Sequence, residues 1–197
     1  MKLYFFLAIL LASTLSTSAQ QIRNLPTFPK NLYPGTVTAL DGQTLKGYVV
    51  VGSRSGNQNE CIFYTDYNDS RSRKVYHPNE ALGYSIENHQ YRSVSYSGNM
   101  NFLGVGKADK HFVYLAQDGA ISTFIYWANN EQIFWKKGED EAISNASMLL
   151  SFKKNMLKLV SDNVEIAGKV ERKEKGYGML NLTQIIDEYN SWALSKK

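Results

Sequence analysis

Residues 34–52, PGTVTALDGQTLKGYVVVG, decide the architecture of this chain. Two runs rich in β-branched residues flank Asp41-Gly42, a dipeptide typical of tight hairpin turns. A two-residue loop would mix apolar and polar side chains on both faces of the hairpin. A three-residue loop at residues 40–42, with Gly42 in the left-handed conformation of a bulge, is our prediction. It places five apolar side chains on one face, because strand side chains alternate with period two: Val37, Ala39, Leu45, Val49 and Val51.

Short β-rich runs separated by turn formers continue as far as residue 136. Strands are predicted at residues 60–66, 73–77, 83–86, 91–96, 101–105, 111–116, 120–127 and 131–136. Between them we expect a loop at residues 53–59, one helical turn at 78–81, a charged turn at 107–110 and a second Asp-Gly turn at 118–119. This pattern predicts an antiparallel sheet, a sandwich or a partial barrel. The 13 tyrosines fit that prediction, since tyrosine suits pleated, half-buried surfaces.

After an acidic linker at residues 138–141, the apolar period changes from two to that of a helix. Three stripes predict three helices: Leu149, Phe152, Met156 and Leu159; Val164, Ala167 and Val170; Leu182, Ile185, Ile186, Tyr189 and Ala193. Asp162 and Asn181 are the predicted caps of the second and third helices. We therefore predict an α+β protein. A β domain spans residues 34–136, and a three-helix C-terminal segment at 143–195 packs on it.

The first 19 residues have the layout of a secretory signal peptide. Lys2 is followed by an apolar run at residues 3–12, and the small residues 17–19 predict cleavage after Ala19. An extended lead-in at residues 20–33 follows. The apolar run is shorter than the ~20 residues that a membrane-spanning helix needs. We expect an exported protein, periplasmic, extracellular or associated with the outer membrane, and no transmembrane segment in the mature chain.

The charge is mildly basic, with 22 Lys and Arg against 18 Asp and Glu. Nucleic-acid binding is not predicted, because that function concentrates basic residues on one face. The predicted helical segment at 143–195 carries seven cations: Lys153, Lys154, Lys158, Lys169, Arg172, Lys173 and Lys175. Three acids interleave with the later ones: Glu165, Glu171 and Glu174. A solvated mixed-charge surface explains the pattern better than an anion site.

Residues that could carry chemistry are scattered. The three histidines, His77, His89 and His111, lack the spacing of a zinc motif, and the single cysteine, Cys61, has no cysteine partner. Cys61 is expected to be a small hydrophobic residue in a strand. No nucleophile elbow or dinucleotide loop is present. Carboxylate pairs such as Glu60 with Asp66 do not differ from the pairs that chance alone would bring close together among 18 acids. We predict no cofactor or metal, and we assign no catalytic residue.

Aromatic residues leave two alternatives open. Trp127, Trp135 and the tyrosines could stack on a sugar, as amphipathic aromatics often do on recognition surfaces. Alternatively, the two tryptophans pack between the sheet and the helices. The second alternative is favoured, because large aromatic side chains are usually mostly buried.

Three segments resemble a family of uncharacterised exported proteins from Gram-negative bacteria of the Bacteroidota type. They are DGQTLKGYVV at residues 41–50, VYHPNEALGYSI at 75–86, and FKKNML with IIDEYNSW at 152–157 and 185–192. In that family a D-G-x4-G-Y hairpin opens the domain, and the helices end in a Tyr-Asn pair, here Tyr189-Asn190. The resemblance covers most of residues 34–193. It implies export and a β-then-α layout, and it carries no known activity.

Three hypotheses for function follow. The first is a non-catalytic envelope protein that binds a partner or supports an assembly, and an apolar surface patch would support it. The second is a module that binds carbohydrate or another small ligand, suggested by the tyrosines and tryptophans. The third is a hydrolase whose residues meet only in the fold. Because the motifs consist of turn and packing residues, we favour a non-enzymatic role with a protein or glycan partner in the cell envelope.

Overall fold

The computed structural model describes residues 31–98 and 109–196. Within these ranges the strands are β1 (Leu32–Ala39), β2 (Thr44–Val50), β3 (Cys61–Tyr64), β4 (Arg73–Tyr76), β5 (Ala81–Ile86), β6 (His89–Tyr96), β7 (Asp109–Gln117), β8 (Ile121–Trp127), β9 (Glu131–Lys137) and β10 (Ile143–Ser144). The helices are α1 (Gly56–Asn59), α2 (Asn145–Leu150), α3 (Phe152–Val160), α4 (Val164–Glu171) and α5 (Leu182–Leu194). The predicted signal peptide at 1–19, most of the lead-in and the predicted strand at 101–105 lie outside the described residues.

All ten of these strands belong to one antiparallel sheet, in the order β10-β9-β8-β7-β6-β5-β1-β2-β3-β4. Most strands pair with their neighbours in sequence. The exception is the pairing of β1 with β5. Because β1 lies between β2 and β5, it joins the opening hairpin to the rest of the sheet. The helices α2 to α5 follow the sheet in sequence. The predicted α+β class, an antiparallel sheet followed by C-terminal helices, is confirmed.

The opening hairpin has the predicted three-residue loop. Val37 lies opposite Leu45, and the Ala39 N–H donates to the Gln43 carbonyl at 2.9 Å. Gly42 has a φ of +83°, the left-handed conformation that the loop requires. Leu45 lies on the same face as Val37, as predicted, but its side chain is 37% exposed because it lies at the hairpin tip, beyond the core that buries Val37.

Two facing glycines let neighbouring parts of the sheet backbone come close together. Gly35 lies opposite Gly47. A Cβ atom on Gly47 would collide with the carbonyl oxygen of Tyr64, and one on Gly35 with that of Ser85. The two glycines allow the backbones of neighbouring strands to approach closely. A side chain at either position would therefore push those strands apart.

One face of the sheet carries a core to which both halves of the sheet contribute. Buried side chains from β1 to β4, such as Val37 and Phe63, form one cluster with Phe112 of β7 and Trp127 of β8. Helix α1 closes this cluster through the buried side chain of Gln58. The Gln58 amide donates to the Trp127 carbonyl at 2.6 Å and accepts from the Trp127 N–H at 2.5 Å. The predicted loop at residues 53–59 therefore contains a helical turn.

Helices α2 to α5 cover the same face near β8 and β9. Ile121 and Trp135 pack there with Met156, Ile166 and Ile185, which come from α3, α4 and α5. This segment has four helices where the sequence predicts three. The predicted first helix breaks at Ser151, whose φ and ψ are −146° and 58°.

The break at Ser151 changes which side chains face the core. Met148 becomes fully buried, whereas Leu149 is 62% exposed. The prediction that Leu149 belongs to the buried stripe is therefore wrong, because a single helical period does not continue across the break.

Local predictions at four turns need correction. Asn163 caps α4, accepting from the N–H groups of Glu165 and Ile166, in place of Asp162. Asn181 precedes α5 without a capping hydrogen bond from its side chain. Residues 78–80 form a turn outside any helix, and residues 109–110 of the predicted charged turn begin β7.

Candidate functional site

A row of aliphatic side chains crosses the outer face of the first four strands. Leu32 lies opposite Val50, Val50 opposite Ile62, and Ile62 opposite Val75. Because directly opposed residues in neighbouring strands share a face, the four side chains form one continuous line. Each is half-buried, and none belongs to the core clusters of the described residues.

A second row, next to the first, is largely aromatic. Tyr48 lies opposite Tyr64, and the half-exposed Tyr67 meets the Tyr48 ring edge-on at 4.8 Å between ring centres. The outer apolar face is our name for the two rows together: Leu32, Tyr48, Val50, Ile62, Tyr64, Tyr67 and Val75. A contiguous apolar patch of this kind is typical of an interaction surface.

The sequence of these strands explains why apolar groups appear on both faces. In β2 and β3 the buried residues Val49 and Phe63 alternate with Val50, Ile62 and Tyr64, so both positions of the period-two pattern are apolar. A strand with one solvated face usually places polar residues at the alternate positions. The sequence signal was therefore present in the VVV and CIFY runs, but only the pairing of strands shows that they form one surface.

Two cations, Arg73 and Lys46, lie beside the outer apolar face. Arg73 lies opposite Tyr64, and Lys46 is exposed on β2. Lys74, also on the edge strand β4, lies 4.4 Å from the Tyr76 ring centre. Cations on a short edge strand oppose the addition of another strand. The sheet face is thus a better docking surface than the β4 edge.

The histidines serve separate local contacts. The His77 ring lies 3.4 Å from the Asn59 carbonyl, and the His89 ring lies 3.3 Å from the Tyr114 hydroxyl. Partial burial lowers the pKa of His111 despite the opposing effect of Asp109. In residues 31–98 and 109–196, no three His, Cys, Asp or Glu side chains are grouped as a metal site.

Cys61 is fully buried in β3. Burial raises the pKa of its thiol to about 12, so the group is protonated at neutral pH. A protonated thiol is a poor nucleophile. Cys61 therefore contributes to packing, as its sequence context predicts.

The Tyr189-Asn190 pair fastens α5 to the rest of the protein. The Tyr189 hydroxyl donates to the Asp162 carboxylate at 2.8 Å, and Lys137 forms a 2.6 Å ion pair with the same carboxylate. Asn190 makes two hydrogen bonds to the backbone of Ile121. Both residues of the pair thus link helices to the sheet, and neither points to catalysis.

The two tryptophans highlighted by the sequence are packed. Trp135 lies in the cluster between the sheet and the helices, as expected. Trp127 instead lies in the cluster closed by α1, with the Arg54 guanidinium 5.4 Å from its ring centre. Their exposed fractions are 5% and 8%, which leaves little ring surface for a sugar.

Two open clefts lie on either side of residues 140–142. The larger, about 670 Å³, is lined by cations including Arg92, Lys110 and Lys136, together with the acids of the linker. The smaller, about 570 Å³, lies against α2 and α3. Arg92 and Lys136 are paired with acids of their own, so this larger cleft shows no net excess of one charge.

Comparison with known proteins gives no relative. No protein-family model, curated protein or solved structure matches this chain. In the described residues, no helix has the length and apolar character needed to cross a bilayer.

Proposed function

We propose that this chain is a non-catalytic binding protein of the cell envelope that holds a partner protein on its outer apolar face. The continuous line of Leu32, Val50, Ile62 and Val75 carries the proposal. These four aligned aliphatic side chains pack in no core cluster of the described residues. A partner that removes them from water lowers the free energy of the system, which favours binding.

The chemistry of the face indicates what kind of partner fits it. Tyrosines are enriched at the centres of protein interfaces, where the ring is buried and the hydroxyl keeps a hydrogen bond. Tyr48 and Tyr64 occupy such positions beside the aliphatic row. The adjacent Lys46 and Arg73 favour an apolar partner surface with acidic groups at its margin.

The state of the reactive side chains supports binding in preference to catalysis. Cys61 is protonated and buried. The Asp162 carboxylate is engaged by Lys137 and Tyr189, and the Glu188 carboxylate by Lys169 and Tyr177. These groups join elements of the fold to one another, which is a structural use of polar chemistry.

Affinity capture from the native envelope, followed by reconstitution with the purified captured protein, tests the proposal. The face variant is Ile62→Ser with Tyr64→Ser. Its matched control is Val164→Ser with Leu180→Ser, because those two side chains are also apolar and exposed (84% and 100%). We expect the face variant to bind the purified partner at least about tenfold more weakly, as the loss of buried apolar anchors predicts.

Equal affinity for the wild type, the face variant and the control would refute this assignment. Thermal unfolding of each variant serves as the fold control, since Ile62 and Tyr64 are half-buried. A fully folded face variant that retains the partner would show that binding occurs elsewhere.

A carbohydrate ligand is the second candidate, favoured by one observation. Tyr67 is 51% exposed and stands beside Tyr48, so its ring is available to a sugar. A glycan array with the wild type and Tyr67→Ala tests this candidate. Glycan binding that disappears in Tyr67→Ala would support it, and an array without hits would remove it.

A further inference from the structure

The junction between α2 and α3 exposes a second apolar surface, far in sequence from the outer apolar face. Leu149 and Leu150 end α2 with exposed fractions of 62% and 66%. The chain turns at Ser151, and Phe152 and Leu157 of α3 line a shallow depression on the surface. These residues, with the neighbouring lysines 153, 154 and 158, are called the helix elbow here.

Every charged residue within α2 and α3 is positive. Helix α2 (NASMLL) carries no charge, and α3 (FKKNMLKLV) carries the three exposed lysines of the elbow and no acid. The three lysines also outnumber the acids that pair with them from the neighbouring helices. Lys153 approaches Glu171 of α4 only at 3.8 Å, with both side chains largely exposed. Such a pair contributes little, and it leaves the lysine accessible to another anion.

Acids from the linker are the other charges that face the elbow. Asp140 and Glu141 line the smaller cleft together with Lys154 and Lys158. Both acids are exposed, and they lie on the cleft side of α3. Of the described residues that line the depression beside Phe152 and Leu157, only Lys153 and Lys154 are charged.

Exposed leucines bordered by lysines have the chemistry that recognises an anionic membrane surface. Apolar side chains enter the boundary between headgroups and acyl chains, while lysines bind the lipid phosphates. We propose that the helix elbow docks this protein peripherally on an anionic lipid bilayer. This inference does not depend on the partner proposed for the outer apolar face.

Two adjacent leucines combined with several lysines distinguish the elbow from the other exposed apolar residues of the helical segment. Leu194 is 72% exposed near Lys196, but it is a single leucine. Val164 is 84% exposed, but an acid, Glu165, follows it directly. Leu180 is fully exposed in the sequence GMLNL, which contains no charge. Only the elbow, among the exposed apolar sites of the described residues in the helical segment, combines adjacent leucines with several lysines. Val164 and Leu180 therefore provide matched controls.

Vesicle co-sedimentation of the chain from residue 20 onward tests the proposal. One set of vesicles contains phosphatidylcholine alone, and the other contains phosphatidylcholine with phosphatidylglycerol. The variants are Leu149→Gln with Leu150→Gln, the triple change of lysines 153, 154 and 158 to Gln, and the control Val164→Gln with Leu180→Gln. We expect the wild type and the control to bind anionic vesicles, and both elbow variants to bind at least about tenfold more weakly.

Added salt should weaken binding of the wild type, because screening acts on lysine–phosphate attraction. Failure of the wild type to sediment with anionic vesicles would overturn the proposal, as would equal binding by the leucine variant. A dimer in lipid-free solution that is lost in the leucine variant would also overturn it, assigning the elbow to a second copy of the chain. Variants of the outer apolar face should retain vesicle binding, so the two proposals fail separately.

Discussion

The side-chain amide of Asn190 brackets the backbone of Ile121. Its oxygen accepts the Ile121 N–H at 2.8 Å, and its nitrogen donates to the Ile121 carbonyl at 2.9 Å. Asn190 lies on α5 and Ile121 begins β8, so this pair ties the last helix to the sheet. Gln58 makes the equivalent pair of bonds to Trp127 at the other end of β8. Both ends of one strand are therefore held by amide side chains.

Replacing Asn190 by alanine should lower the free energy of unfolding by about 1–3 kcal/mol. Two hydrogen bonds are lost, each with a net value of about 0.5–1.5 kcal/mol, and two strand-end backbone groups lose their partners. Chemical denaturation measures the change. Asn181→Ala is the matched control, because Asn181 directly precedes the same helix and its side chain makes only a 3.4 Å contact with Gln184. Equal effects of the two substitutions would contradict this role for Asn190.

Gly119→Ala should also destabilise the protein, through the same contact. A Cβ atom at this position would collide with the side-chain amide of Asn190, which is held in place by Ile121. In the Asn190→Ala background the collision disappears, so Gly119→Ala should cost less there. A double-mutant cycle measures this coupling, which we expect to be about 0.5–3 kcal/mol. Strictly additive effects would show that the two residues do not interact.

Gly42→Val should cost on the order of 1–3 kcal/mol, because a β-branched residue resists the positive φ of the hairpin loop. No heavy atom lies within 4 Å of the added Cβ, so the cost is conformational. Gly178→Val is the control, since Gly178 has equal space but an extended backbone with φ −108°. Thermal unfolding of both variants gives the comparison, and an unchanged melting temperature for Gly42→Val would refute the loop assignment.

Acid should remove the stability that comes from Asp162. Partial burial alone would raise the pKa of this carboxyl, but hydrogen bonds from Lys137 and Tyr189 outweigh burial and lower it. A lowered pKa in the folded state stabilises the protein above the ordinary value of 3.8, and this contribution is lost as the pH falls through the folded pKa. We expect the stability difference between the wild type and Asp162→Asn to shrink over that range. Denaturation at a series of pH values checks it, and a constant difference would contradict it.

Cys61 should be inert in the folded protein. Burial raises its pKa to about 12, and the side chain has no exposed surface. Reaction with a thiol-specific reagent at neutral pH should therefore occur only after unfolding, at a rate that follows the opening of the sheet. Labelling with and without denaturant measures this rate. Rapid labelling of the native chain would show that β3 opens readily.

Periodicity alone was enough for strands β1 to β9 and for most helical faces. The alternation around Asp41-Gly42 predicted the loop length and the pairing of Val37 with Leu45, because a one-residue change would have reversed every side chain. Local signals failed where a distant contact competed. Asp162 resembled a helix cap, but the ion pair with Lys137 engages it, and Asn163 takes the capping position.

The outer apolar face shows the limit of inference from sequence. Val50, Ile62 and Val75 appear in three separate strands, and nothing in the chain states that they are neighbours. Their alignment depends on the register between β2, β3 and β4. The helix elbow depends in the same way on the break at Ser151, which turned Leu149 outward.

The sequence by itself determined the fold class, the opening hairpin and the change from sheet to helices. These follow from local periodicity and turn chemistry, which act between residues close in the chain. Only the tertiary structure decided how Asn190 reaches Ile121 and which apolar residues remain at the surface. Asn190 and Ile121 are 69 positions apart, and the geometry of such contacts depends on the packing of the whole sheet against its helices.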